Sequence, residues 1–170
     1  MTDTPRIYVA DLAAYNNGIL YGVWIDATDS IDSINEQIFT MLDNSPIEDS
    51  EEYAIHDYEN FGNYRLEEYT GIETVHNIAT FIEDNPLLGI ELVNHFCGDI
   101  DAAEQAKDDY LGCYHSLADY AQELTEETSD IPEHLAFYID YEAMARDMEM
   151  NGDIFTIETA HDEVHVFLSC

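Results

Sequence analysis

The chain has 170 residues, of which 38 are Asp or Glu and four are Lys or Arg, giving a formal charge of −34 at neutral pH. At 46% hydrophobic and 12% aromatic it is too apolar for the acidic disordered class, which cannot bury enough surface to fold. The N-terminal MTDTPRIYVADL lacks a secretory pattern, no run approaches the ~18 apolar residues of a membrane span, and anionic lipid repels such a surface, so a cytoplasmic, membrane-free location is expected.

In chain order, Arg6–Asp11 and Leu20–Asp26 are β-branched and aromatic, and the YNNG of Tyr15–Gly18 between them predicts a hairpin turn. Ile31, Ile34, Ile38 and Met41 recur at helical spacing, so a helix is predicted over Ile31–Leu42, capped by Asp29 or Ser30. Asn44–Ser50 reads as a polar loop and Glu52–Tyr58 as a third strand. Residues 66–109 read as mostly helical, with the stripe Ile72, Val75, Ile78, Ala79, Ile82 ending at Asn85-Pro86, then short helices over Leu87–Phe96 and Asp99–Lys107. Ser116 opens a helix to Glu127 with Leu117, Tyr120, Ala121 and Leu124 on one side. Ile131-Pro132 opens another through Met150, which Asn151-Gly152 ends. Ile154–Glu158 and Val164–Leu168 read as a closing hairpin. The predicted class is α+β.

The acids are interleaved with this pattern: 13 in residues 1–60, 11 in 61–110 and 14 in 111–170. An acidic tail would put them in one block. A net charge of this size opposes compaction by self-repulsion, so a function for the field is expected. Duplex DNA carries one charge per roughly 1.7 Å, so the chain's charge equals that of about 17 base pairs. Spread evenly over a compact surface, it is about half as dense as on DNA. A polyanion mimic is then expected to concentrate its acids on one face, to be elongated, or both. Adaptation to high salt, a calcium-buffering protein and an enzyme with a carboxylate dyad are the competing readings.

Motifs for chemistry are weak. His161-Asp162-Glu163-Val164-His165 superficially resembles a zinc-protease motif, but its Glu is misplaced and the segment reads as strand ends. His95, Cys97, Cys113 and His115 offer two Cys and two His, but each pair is separated by one residue and the Tyr-rich surroundings favour core packing. Asp99 and Asp101 lack the Gly and terminal Glu of a calcium loop. Acidic doublets such as Glu51-Glu52, Glu67-Glu68 and Asp108-Asp109 arise by chance among so many carboxylates and read as a solvated face. Cys97, Cys113 and Cys170 build no disulfide framework. No metal, cofactor or catalytic group is expected.

Three blocks carry a family resemblance. Ile7–Asp26 (IYVADLAAYNNGILYGVWID), Glu52–Glu59 (EYAIHDYE) and above all Ile131–Asp147 (IPEHLAFYIDYEAMARD) are similar to the ArdA antirestriction proteins, whose signature resembles IPxxLxxYxDYExYARD. Ile131, Pro132, Leu135, Tyr138, Asp140, Tyr141, Glu142, Ala145, Arg146 and Asp147 are the matching positions; Met144 stands where the family often has an aromatic residue. Phe155-Thr156 and the closing HVF of His165–Phe167 also fit, whereas 66–115 is weakly matched. The resemblance implies an elongated molecule of three small subdomains, here 1–62, 63–109 and 110–170, that dimerises through the last. It implies a non-enzymatic mimic of bent B-form DNA that occupies the DNA-binding groove of Type I restriction-modification enzymes, at their modification and specificity subunits, and does not itself bind nucleic acid. A mimic directed at a nucleoid protein, a repressor or another defence methyltransferase is the alternative.

The phosphate surrogates expected are Asp43, Glu48, Asp49, Glu51, Glu52, Asp57, Glu59, Glu67, Glu68, Glu73, Glu83, Asp84, Glu91, Asp99, Asp101, Glu104, Asp108 and Asp109. Leu135, Phe137, Tyr138 and Tyr141 are expected in the core or a dimer contact, and Arg146 in an ion pair with Asp140 or Glu142.

Overall fold

A computed structural model describes residues 3–169. The first two residues and Cys170, weighed above for a signal segment and a disulfide, lie outside the described residues. The backbone forms two compact units, one ending at Ile100 and the other beginning at Asp101.

The first unit contains β1 (Arg6–Asp11), α1 (Leu12–Asn16), β2 (Gly22–Asp26), α2 (Ile31–Asp43), β3 (Tyr53–Glu59), α3 (Ile72–Asp84) and α4 (Gly89–His95). Its sheet is antiparallel in the order β2-β1-β3. Ile7 and Val9 on the central strand face Ile25 and Val23 on one side and Tyr58 and Ile55 on the other. Period-2 alternation therefore gives this sheet one apolar face. Ile34, Ile38 and Met41 of α2 are buried, and the Ser30 hydroxyl caps that helix by accepting from the Ser33 amide at 3.2 Å. On α3 the predicted stripe is buried throughout, each large side chain contributing about 1.5–3 kcal/mol. The Asn85 side-chain amide closes the helix on the Phe81 carbonyl at 2.8 Å, and Pro86 prevents its continuation. α4 follows closely because Gly89 has no side chain: a Cβ there would sit 3.0 Å from Ile82 Cα.

One expectation changes here. YNNG makes no tight hairpin turn. Asp11 caps α1 through the Ala14 amide at 3.2 Å, so the strands are joined by a short helix, and Asn17 and Gly18, with φ of +77°, end it. The Asp before Leu-Ala-Ala was the missed signal.

The second unit contains all but the first residue of α5 (Ile100–Asp108), then β4 (Tyr110–Tyr114), α6 (Leu117–Thr128), a 3-10 helix (Glu133–Tyr138), α7 (Tyr141–Met150), β5 (Ile154–Ala160) and β6 (Glu163–Leu168). The antiparallel sheet runs β4-β6-β5, and β6 is its central strand, with Val164, His165, Val166 and Phe167 all buried. Tyr120 of α6 packs on Ile154, Val164 and Val166, joined by Leu117, Leu124 and Met148. Phe155 and Phe167 stack at 4.8 Å between centroids. β4 was not foreseen: its register shifts beside Gly112, whose φ is +130°, so YLGCY shows no clean alternation.

The helix predicted over Ile131–Met150 is two pieces. Asp140 adopts an extended backbone and accepts from the Ala143 amide at 3.0 Å, starting α7 afresh. A short acidic side chain competes for backbone donors inside a helix and is best placed at its start, so the break falls at Asp140.

Candidate functional site

The carboxylates form the surface. Asp11 is the one fully buried acid; Asp26, Asp29, Glu91 and Asp109 are half-buried, and all the others are exposed. Asp43 ends α2, and Glu48, Asp49, Glu51 and Glu52 occupy the loop to β3. Asp57 and Glu59 lie on β3, with Glu67 and Glu68 in the segment that follows. Glu73, Glu83 and Asp84 are on α3, Glu91 is on α4, and Asp99 precedes α5. Asp101, Glu104 and Asp108 are on α5, with Asp109 just beyond it.

A β-bulge aims two of these acids. Val9 pairs with Ile55, but Tyr8 pairs with Asp57, so His56 is an extra residue on β3. Strict alternation from buried Ile55 would send Asp57 and Glu59 to the apolar face. The bulge reverses the parity. Asp57 and Glu59 thus join Arg6, Tyr8 and Trp24 on the outer face, where Tyr8 and Trp24 are 5.4 Å apart and the Arg6 guanidinium lies 5.1 Å from the Trp24 ring. His56 itself reaches Glu68 at 3.2 Å.

Cations neutralise little of this surface. Arg6 pairs with Glu59, and Lys107 reaches Glu104 at 3.3 Å. Among the described residues Arg65 and Arg146 form no ion pair. The pair expected of Arg146 with Asp140 or Glu142 is therefore not formed; the Asp140 carboxylate caps α7 instead.

Acids also stand where helices disfavour them. Asp43 ends α2, Glu83 and Asp84 end α3, and neither last turn contains a basic residue. Glu126 and Glu127 stand in the last turn of α6, again without a base. The negative end of the macrodipole makes each such placement unfavourable by about 0.3–1 kcal/mol. Glu126 accepts from the Gln122 side-chain amide at 3.0 Å, whereas among the described residues Asp43, Glu83 and Asp84 have no such local partner.

The signature block behaves differently. Ala145 is buried on α7, and Ile131 and Tyr141 are half-buried, while Pro132, Glu142, Arg146 and Asp147 are exposed. No residue of the 3-10 helix is buried. Leu135 is 46% exposed, Tyr138 84% and Phe137 93%, so these three lie outside the unit's own core.

Other candidates separate. His95, Cys97, Cys113 and His115 are exposed rather than core-packed: His95 ends α4, Cys113 lies on β4, and Cys97 and His115 fall in the turns that follow these elements. Among the described residues no three His, Cys, Asp or Glu are grouped to hold a metal ion. His165 is a buried side chain of β6, with the Tyr110 hydroxyl 2.7 Å from Nδ1 and the Thr159 hydroxyl 3.0 Å from Nε2. The groove between β2 and α2, about 510 Å³, has Glu36 as its only charged lining residue and presents no acid–base pair.

Protonation differs between the units. Burial is the largest influence on Asp11 and opposes its charge. Hydrogen bonds from Ser45, Ser50 and the Ala14 and Ala13 amides outweigh it and hold the carboxyl below its ordinary value. In the second unit burial raises Tyr110 and Tyr120. Tyr114 is pushed up to about 12, first by burial and then by its hydrogen bond to Glu123 and the negative charge of that residue.

The described residues form an α+β chain whose most distinctive feature is its acidic surface. The family model of the antirestriction protein ArdA matches residues 7–163, and the chain belongs to that family of antirestriction proteins. Restriction enzymes are the partners this implies. No curated protein matches the chain. No helix among the described residues is long and apolar enough to cross a membrane.

Proposed function

We propose that the protein blocks Type I restriction-modification enzymes by occupying the DNA-binding groove of their modification and specificity subunits with its carboxylate surface. The observation that carries this reading is the placement of Asp43, Glu83 and Asp84 in helix C-terminal turns that contain no basic residue, where they cost stability. Such residues are retained for the field they create outside the fold.

The physics of the contact is simple. A DNA-binding groove is lined with Lys and Arg that neutralise phosphates. Carboxylates fixed on a folded surface meet those cations, bidentately where Arg is the partner. They present no base edges, so inhibition is indifferent to the recognition sequence. Long-range attraction speeds the encounter, so the protein engages the enzyme before incoming DNA is cut. No bond is made or broken. Leu135, Phe137 and Tyr138 form the contact of a homodimer, which doubles the charge presented.

Binding to a Type I methyltransferase core, with cognate DNA as competitor across a salt series, tests the proposal. Mutually exclusive binding that weakens steeply with salt is expected. Simultaneous binding of DNA and protein would move the target away from the groove, to another basic partner.

A further inference from the structure

Four of the proposed phosphate surrogates, Glu48, Asp49, Glu51 and Glu52, lie on the loop between α2 and β3, which has no regular secondary structure of its own. Mutual repulsion favours an open, fluctuating loop. Charges that must be ordered on binding lose part of their attraction to that ordering. Something has to hold this loop.

Beneath it is Asp11, at the end of the central strand and fully buried. Oδ1 accepts from the Ser50 hydroxyl at 2.5 Å and from the Ala14 amide at 3.2 Å. Oδ2 is buried without a direct partner of normal hydrogen-bond geometry, while the Ser45 hydroxyl lies near enough to favour the charged form. The Leu12 amide, next in sequence, donates to the Glu52 carbonyl at 3.0 Å. Ser45 also accepts from the Ile47 amide at 3.0 Å, and Asp49 takes a left-handed φ of +59°.

We propose that Asp11 is the positioning residue of the acidic loop: its carboxylate holds Ser50 in the middle of the acidic run, and with the Leu12–Glu52 backbone bond beside it fixes Glu48, Asp49, Glu51 and Glu52 as an array. Capping α1 does not by itself require this residue. Asn or Ser caps a helix about as well, and neither buries a charge. A buried carboxylate with no cation beside it is costly, and hydroxyl donors bond to it more strongly than to a neutral acceptor. Ser50 is such a donor, and it sits between Asp49 and Glu51.

The inference rests on the proposed inhibition for its consequence, but the pinning is tested without it. The variant S45A/S50A keeps Asp11 and its α1 cap; D11N removes the charge and keeps the shape. A glutamyl endopeptidase, with cut sites mapped by mass spectrometry, reads the loop directly. Cleavage after Glu48, Glu51 and Glu52 is expected to accelerate about 10-fold in S45A/S50A, with cleavage elsewhere unchanged. In binding to the methyltransferase core, the slope of log affinity against log salt is expected to fall by up to about 3.6, near 0.9 for each of the four charges no longer held. A general loss of stability lowers affinity without selectively opening this loop. Unchanged cleavage in S45A/S50A, or acceleration spread evenly over the chain, overturns the proposal, whether or not D11N folds. Failure of the unmodified protein to bind the core sinks the proposed target and leaves the protease result to decide the pinning.

Discussion

The acidic loop and β3 of the first unit and the 3-10 helix of the second are both solvent-facing, yet they are exposed for opposite reasons. In the first, the chain buries its apolar side chains beneath and leaves charges in water, where they are fully solvated. In the second, Leu135, Phe137 and Tyr138 leave apolar area in water on an element that buries nothing. A contiguous patch of that kind marks a surface covered by another molecule. Exposure alone does not identify a binding surface; the chemistry left exposed says what kind of surface covers it.

The comparison breaks most readily at the charges. Replacing Glu48, Asp49, Glu51, Glu52, Asp57 and Glu59 together by their amides is expected to weaken inhibition several hundred-fold, at roughly 0.6 kcal/mol for each exposed pair lost. A restriction-protection assay measures this, and full activity would remove that region from the binding surface. Any one of these replacements alone is expected to do little.

Core and patch are separated next. Ile78→Ala is expected to destabilise the first unit by about 3 kcal/mol in urea denaturation, because Ile78 is fully buried on α3. Phe137→Asp and Tyr138→Asp are expected to leave the unfolding of the monomer within about 0.5 kcal/mol and to abolish association in sedimentation. A large stability loss in these two would place them in a core instead.

The units are also expected to fail at opposite ends of the pH scale. Asp11 is held below its ordinary 3.8, so its ionised form stabilises the fold above 3.8, and that contribution disappears as pH falls through the lower folded value. Asp11→Asn should therefore narrow the gap to the parent protein under acid. Tyr114 is raised from 10.0 to about 12, so its neutral hydroxyl stabilises the second unit in full below 10.0 and is lost as pH rises toward 12. Tyr114→Phe should flatten the alkaline decline, as followed by denaturation at about pH 9 and about pH 11.

The smallest effect belongs to a cap. Asp140→Ala is expected to cost about 1 kcal/mol in α7 by removing the acceptor for the Ala143 amide. No cost would mean that packing alone starts that helix.

Much of the fold was legible because local signals agreed with tertiary demand. The α3 stripe, the Ser30 and Ser116 caps, the Asn85-Pro86 stop and the β5–β6 hairpin each need only a few neighbouring residues to specify them. The departures share another cause. α1 forms because Asp11 is fixed at the end of a paired strand, β4 exists because β6 is there to pair with it, and the Ile131–Met150 segment splits because Asp140 gains more as a cap than inside a helix.

For the surface, the amino-acid order by itself settled the charge, the surplus of acids over cations, and the apolar periodicities that had to turn inward. Periodicity decides these because solvation of a carboxylate and burial of a methyl group are properties of the residue. Which way Asp57 and Glu59 point was decided only in three dimensions, by one extra residue opposite Tyr8 and Val9. So were the burial of Asp11 under the acidic loop and the bare surface of the 3-10 helix. Register, long-range hydrogen bonds and packing partners are relations between distant residues, and no local pattern contains them.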